Sequence, residues 1–233
     1  LIHEGFNDFY KAGQRLASYN SQNQLTVSAL PSVASQWLSP KLFHWCDQNP
    51  EVELKIIAQH TEVDFNNSDI DFRICYGKNH PENLISEKLF TDEVFPVCSP
   101  DLLTGSTQDE KIECLKGLTL LHVDWGWQDK MPPSWNDWAQ AAGIPEIETL
   151  KGPRYNLSSM AIKESIEGRG LMLGQKMLVE NDLAAGRLIK AFDLSLPLPE
   201  AYYVVYREDV RAKPHAVNFL NWLTALIDPL QID

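Results

Sequence analysis

The stretch Leu25-Thr26-Val27-Ser28-Ala29-Leu30-Pro31-Ser32-Val33-Ala34-Ser35-Gln36-Trp37-Leu38 decides the fold class. Its first six residues are a run of apolar and β-branched side chains, the pattern of a buried strand. Pro31 then marks a threshold, and Ser32 is the residue type that caps the free amides of a helix start. The helix it opens is expected from about Val33 to Gln48. Val52 to Ala58 reads as a second strand and Phe72-Arg73-Ile74-Cys75-Tyr76 as a third, stopped by Gly77, with a short helix or loop over Glu62 to Ser68. Strand, helix, strand, short helix, strand is the order of a parallel sheet with right-handed crossovers.

Working outward, the same alternation restarts. Strands are expected at Glu93 to Cys98, Leu118 to Val123, Arg154 to Asn156, Leu171 to Leu173 and Tyr202 to Tyr206. A cap and helix start are read at Ser99 to Leu103, and helices at Asn136 to Ala142, Ser158 to Glu167, Met177 to Ala185 and His215 to Ile227. Two successive α/β units fit this count. Upstream, Ile2, Phe6, Phe9, Tyr10, Gly13 and Leu16 fall at three- and four-residue steps. That stripe predicts an amphipathic helix whose apolar face seeks a twin from another chain.

Composition narrows the function classes. The chain has 233 residues and a formal net charge of −12, with 44% hydrophobic residues. Such an acid excess argues against gripping a nucleic-acid backbone or an anionic membrane surface. No run of about 18 uncharged apolar residues is present, so no spanning helix is expected. No basic and apolar leader is visible, and the start at Leu1 suggests a fragment or a processed chain. Cys46, Cys75, Cys98 and Cys114 are scattered without CxxC spacing and read as buried thiols of a reducing compartment, with a disulfide pair the lesser alternative.

Enzyme signatures are mostly missing. Gly168-Arg169-Gly170-Leu171-Met172-Leu173-Gly174 fails as a dinucleotide fingerprint, because its last glycine is one residue late and it follows a helix. The histidines at 3, 44, 60, 80, 122 and 215 lack metal-ligand spacing. Asp69 and Asp71 at a strand start read as capping or solvated groups. Binding chemistry is better represented, since ligands of open parallel sheets sit beyond the carboxyl ends of strands, beside helix N-termini. Ser32 and the pair Ser158-Ser159 occupy such places in the two units. Each either caps its own helix or meets a carboxylate or carbonyl of a small ligand. Thr61 and Asp64 follow the second strand on the same edge, Asp64 serving either a ligand or a cap. One of Tyr202 and Tyr203 is expected to face a cleft, Trp125 and Trp127 to wall a pocket, and Trp135 and Trp138 to lie in the core.

These residues also carry a resemblance. The run from Leu25 to Pro40, Asn49-Pro50-Glu51-Val52-Glu53-Leu54, Asp71 to Gly77, Phe95-Pro96-Val97-Cys98-Ser99-Pro100, Ser158-Ser159-Met160-Ala161 and Asp182 to Leu188 resemble, in order and spacing, the effector-binding domain of LysR-type transcriptional regulators. The branch is that of the glycine-cleavage activator and the β-lactamase-inducing regulator. The resemblance covers about residues 24 to 225. It implies an α/β fold of two Rossmann-like subdomains joined by crossing strands, like type II periplasmic binding proteins, with a small-molecule effector between them. Residues 1–22 resemble the end of a linker helix, 23–95 with 203–233 the first subdomain, and 96–202 the second. A homodimer or homotetramer in the cytoplasm is implied, touching DNA only through a preceding helix-turn-helix, with no membrane contact, no cofactor and no metal. By position the resemblance implies ligand contacts at Ser32, Asp64, Ser158 or Ser159, and Tyr202; with Thr61, Gly77 and Trp125 these make up the expected ligand-binding residues Ser32, Thr61, Asp64, Gly77, Trp125, Ser158, Ser159 and Tyr202. Where much of this branch has Phe-Asp-Asp before the paired serines, this chain has Tyr155-Asn156-Leu157, which removes the acids that would meet a ligand amine. The competing reading is a transporter's solute-binding protein of the same architecture.

Overall fold

The computed structural model describes residues 23–78, 81–103, 108–115, 117–124, 131–144 and 151–227. The expected leading helix and the tryptophans at 125 and 127 lie outside them. Strand β1 (Gln24–Ala29) is buried along almost its whole length, and it sits between β2 (Glu53–Ala58) and β3 (Phe72–Tyr76), both parallel to it. Leu25, Val27, Ala29, Phe72 and Ile74 share one face of this sheet and pack with Trp45, Phe219 and Leu223 in the larger core. Trp45 meets Phe219 edge-on at 5.2 Å and donates from Nε1 to Asn218 Oδ1 at 3.0 Å, so both its ring and its polar tip are satisfied.

The helix after β1 departs from its expected form. Val33–Leu38 is a π-helical turn, and only Ser39–Gln48 (α1) is regular. Pro40 supplies the reason: it has no N–H to give the carbonyl of Gln36, and its ring crowds that carbonyl. The Ser39 N–H bonds Ala34 O, and the vacated Gln36 carbonyl accepts from Asn181 Nδ2 at 3.4 Å.

Two strands are far longer than their sequence suggests, β4 (Ile85–Cys98) and β9 (Leu196–Tyr206). They run antiparallel to one another from Ile85↔Tyr206 to Val94↔Leu196, with irregularities at Lys88/Phe90 and Thr91/Glu93. β9 also flanks β3, while β4 flanks β7 (Leu171–Gln175) and the short β8 (Ile189–Lys190). Beyond β7 come β5 (Leu120–Val123) and β6 (Arg154–Tyr155), again parallel. The result is one curled mixed sheet in the order β2-β1-β3-β9-β4-β7-β5-β6. Its two α/β halves are joined by the crossing pair β4 and β9.

Helices α2 (Gln108–Leu115), α3 (Trp135–Ala142), α4 (Ser158–Ile166), α5 (Lys176–Ala184) and α6 (Ala216–Ala225) cover the faces. Trp135 and Trp138 are core residues as expected, in a second cluster with Leu120, Leu171 and Phe192. The glycines of the failed fingerprint prove structural. Gly168 leaves α4 at φ 69°, and a Cβ on Gly170 would lie 2.4 Å from Thr119 O, so only glycine lets β7 approach β5 this closely. All four cysteines are free thiols. No helix among the described residues is long and apolar enough to cross a membrane.

Candidate functional site

Ser32 stands three residues beyond β1, already in helical conformation (φ −70°, ψ −34°), and its side chain does not cap its own helix. Its Oγ instead accepts from the backbone N–H of Ser159 at 3.0 Å, across 127 residues of sequence. Ser159 lies in the first turn of α4, where backbone amides have no intrahelical partner. The N-cap position belongs to Leu157 (φ −130°, ψ 125°), whose side chain offers no acceptor. A hydroxyl from the other half of the molecule therefore does the capping. The partner of Ser32 is an amide, not a base, so the hydroxyl is placed to hold a group, not to attack one. Ser158 is buried beside it, and Ser159 is partly exposed.

The remaining expected residues take different places. Tyr202 is wholly buried, stacks on Phe90 at 5.0 Å and donates its hydroxyl to Gln175 Oε1 at 3.1 Å. Burial drives its ionisation far above the ordinary tyrosine range. Gly77 ends β3 at φ 82°, and its N–H donates to Ala201 O at 2.9 Å, beside Tyr202. Thr61 is exposed. Asp64 is exposed and engaged within its own turn, accepting from the Asn66 N–H at 2.9 Å and Asn67 Nδ2 at 2.6 Å. Those bonds hold its carboxyl below the usual range. The structure thus joins Ser32 to Ser159 and sets Gly77 next to Tyr202. Thr61 and Asp64 follow β2 on the same sheet edge without a hydrogen bond to the serines, and Trp125 lies outside the described residues.

Three polar groups near these elements escaped the reading of the sequence. Arg73, 6% exposed, lies inside β3 and donates through Nη1 to Ser28 Oγ at 2.7 Å and Gln59 O at 3.0 Å. A lone cation in an otherwise apolar strand, Phe-Arg-Ile-Cys-Tyr, was the available signal. Asp92 sits at the second irregularity of β4 and accepts from the N–H groups of Glu93 at 2.9 Å and Met177 at 3.3 Å. Burial raises its pKa to about 7. It lines a cavity of about 290 Å³ with Trp37, Phe90 and Met177, rimmed by Lys41, Lys176 and Glu180. Gln175 Nε2 is sealed without a partner.

The chain matches the LysR substrate binding domain over residues 20–227. It is 31% identical to the glycine cleavage system transcriptional activator of Escherichia coli K12 over 96% of this chain and 72% of that protein. It is 27% identical to the transcriptional regulator DsdC of the same organism, over 96% and 75%. The fold matches the AmpR effector binding domain from Citrobacter freundii with a TM-score of 0.67 at 20% identity, covering 88% of this chain and 98% of that one. The CrgA regulatory domain from Neisseria meningitidis gives 0.64 at 18% identity, over 88% and 98%. The relatives are regulators of transcription, which sets aside the reading as a transporter's solute-binding protein. The chain belongs to the LysR substrate binding domain family and is the effector-binding part of a LysR-type transcriptional regulator.

Proposed function

We propose that a small-molecule effector binds between the two halves, at the edge where Ser32 meets Ser159, and that its binding re-poses DNA-binding heads attached upstream. The observation that carries this is the Ser32 Oγ to Ser159 N–H bond, which joins the two halves at the start of α4, beside the further cross-contacts Asn181–Gln36 and Lys41–Glu180. An effector carboxylate or carbonyl competes with the hydroxyl for that amide, while Ser32 turns to the ligand. Any preference of the ligand for one arrangement of the halves then shifts the population toward it. In this reading Ser32, Ser158 and Ser159 form the bridge, and Thr61, Asp64 and Gly77 border it. Trp125 walls it, and Tyr202 braces the hinge from behind.

The same proposal assigns residues 23–95 with 203–233 to one subdomain, 96–202 to the other and 1–22 to the end of a linker helix that dimerises. The working protein is a homodimer or homotetramer in the cytoplasm and touches DNA only through a preceding helix-turn-helix. It has no catalytic turnover, cofactor or membrane contact. A thermal-shift screen of small carboxylates, amino acids and muropeptides tests the site. A ligand that raises the Tm of the wild type and leaves Ser32→Ala unmoved supports it, and equal stabilisation of both proteins removes Ser32 from the site. A strictly monomeric mass at high concentration, with residues 1–22 present, overturns the oligomer.

A further inference from the structure

We infer that the effector carries a carboxylate and that Arg73 receives it; this rests on the cleft reading above. Among the described residues Arg73 is the one buried cationic side chain, and none of them places a carboxylate oxygen within ion-pair distance of it. The charged and polarisable groups that influence it are Cys75 on its own strand and Glu62, an exposed residue just beyond β2. A desolvated guanidinium without an anion is costly, and a bound carboxylate offsets that cost.

Its position fits. Ser28, one residue before the end of β1, is the β-sheet partner of Arg73, and Gln59 is the first residue after β2. The two bonds from Nη1 therefore draw the guanidinium across the sheet to the carboxyl edge of β1 and β2, the edge that Ser32 and Thr61 extend. Nε and Nη2 donate to no described residue. Neither is among the side-chain atoms sealed from solvent without a partner, which are Ser86 Oγ and Gln175 Nε2. The outer side of the planar fork thus remains for a solute, in the geometry that takes a carboxylate through two parallel bonds. Immediately before the α4 N-terminus, Tyr155-Asn156-Leu157 offers no acid to a ligand amine.

The test uses matched probes: acetate, propionate and succinate against acetamide, propionamide and succinamide. The 15N resonance of Arg73 Nε and the backbone amide of Ser159 are followed in the wild-type domain. Carboxylates are expected to move both signals and amides neither. Arg73→Gln is expected to weaken carboxylate binding by at least roughly ten- to a hundredfold, since a single charged hydrogen bond is already worth that much, with Arg73→Lys intermediate. A silent Arg73 resonance with every carboxylate overturns the inference, as does equal binding of acids and amides. The cleft reading survives those outcomes if binding of any screened ligand still depends on Ser32. Movement of Arg73 Nε without dependence on Ser32 keeps the anion site and removes the cleft reading.

Discussion

Helix α3 and helix α4 begin in opposite ways. At the start of α3, Ser134 and Asp137 form a complete capping box, and Gly143 closes the far end at φ 68°. Everything that helix needs is supplied within ten consecutive residues. At the start of α4, Leu157 gives nothing and Ser32 caps from the opposite half. Helix α5 repeats the second pattern: its N-cap Gln175 makes no capping bond, and Asp92 of the crossing strand accepts from Met177 N–H. A self-capped helix keeps its stability wherever it is carried. The two helices at the junction owe part of theirs to how the halves are arranged, so rearranging the halves changes the helix ends directly.

Asp92 gives the largest way to break this contrast. Its folded pKa of about 7 lies above the ordinary 3.8, so the folded state holds the proton more tightly than the unfolded chain. The stability this provides is full below about pH 4, is lost as pH rises through 7, and totals of order 4 kcal/mol. Urea midpoints of the wild type are expected to fall across that window relative to those of Asp92→Asn. Parallel curves for the two proteins refute the assignment. Ser134→Ala is expected to cost about 1 kcal/mol, equally with and without a bound ligand, because that cap belongs to α3 alone. Ser32→Ala is the mildest in stability, about 0.5 kcal/mol, since water can reach the freed amide. Hydrogen exchange nevertheless separates the two: Ser32→Ala should speed exchange at Ser159 and leave Asp137 unchanged.

Legibility followed locality. The unit β1, α1, β2, β3 was readable because β1 and β3 are short, mostly buried runs and β2 a short run alternating between exposed and half-buried residues over most of its length, with turn residues between them. β4 and β9 were read as six and five residues but span 14 and 11. Glu87 and Lys88 in one and Pro197 and Pro199 in the other break the apolar alternation, and the irregularities near Phe90 shift its phase. The π-helical turn was hidden because the effect of Pro40 on Gln36 is realised only with Asn181 in place. Ser32 and Ser158-Ser159 were legible as helix-start hydroxyls, whereas their meeting is non-local. Arg73 was passed over because a strand reading weighs apolar content and a single charge does not change it.

The pairing of β3 with β9 also orders events during synthesis. Arg73 must wait for Val205 before β3 gains its second neighbour, and α6, which covers the same core, comes later still. At translation rates of roughly 5–20 residues per second, that edge stays open on the order of 10 s. A nascent chain released before β9 emerges has an unpaired, mostly apolar strand edge and a core without Phe219 and Leu223. The nascent domain therefore passes from aggregation-prone to protected almost in one step, near the end of its own translation.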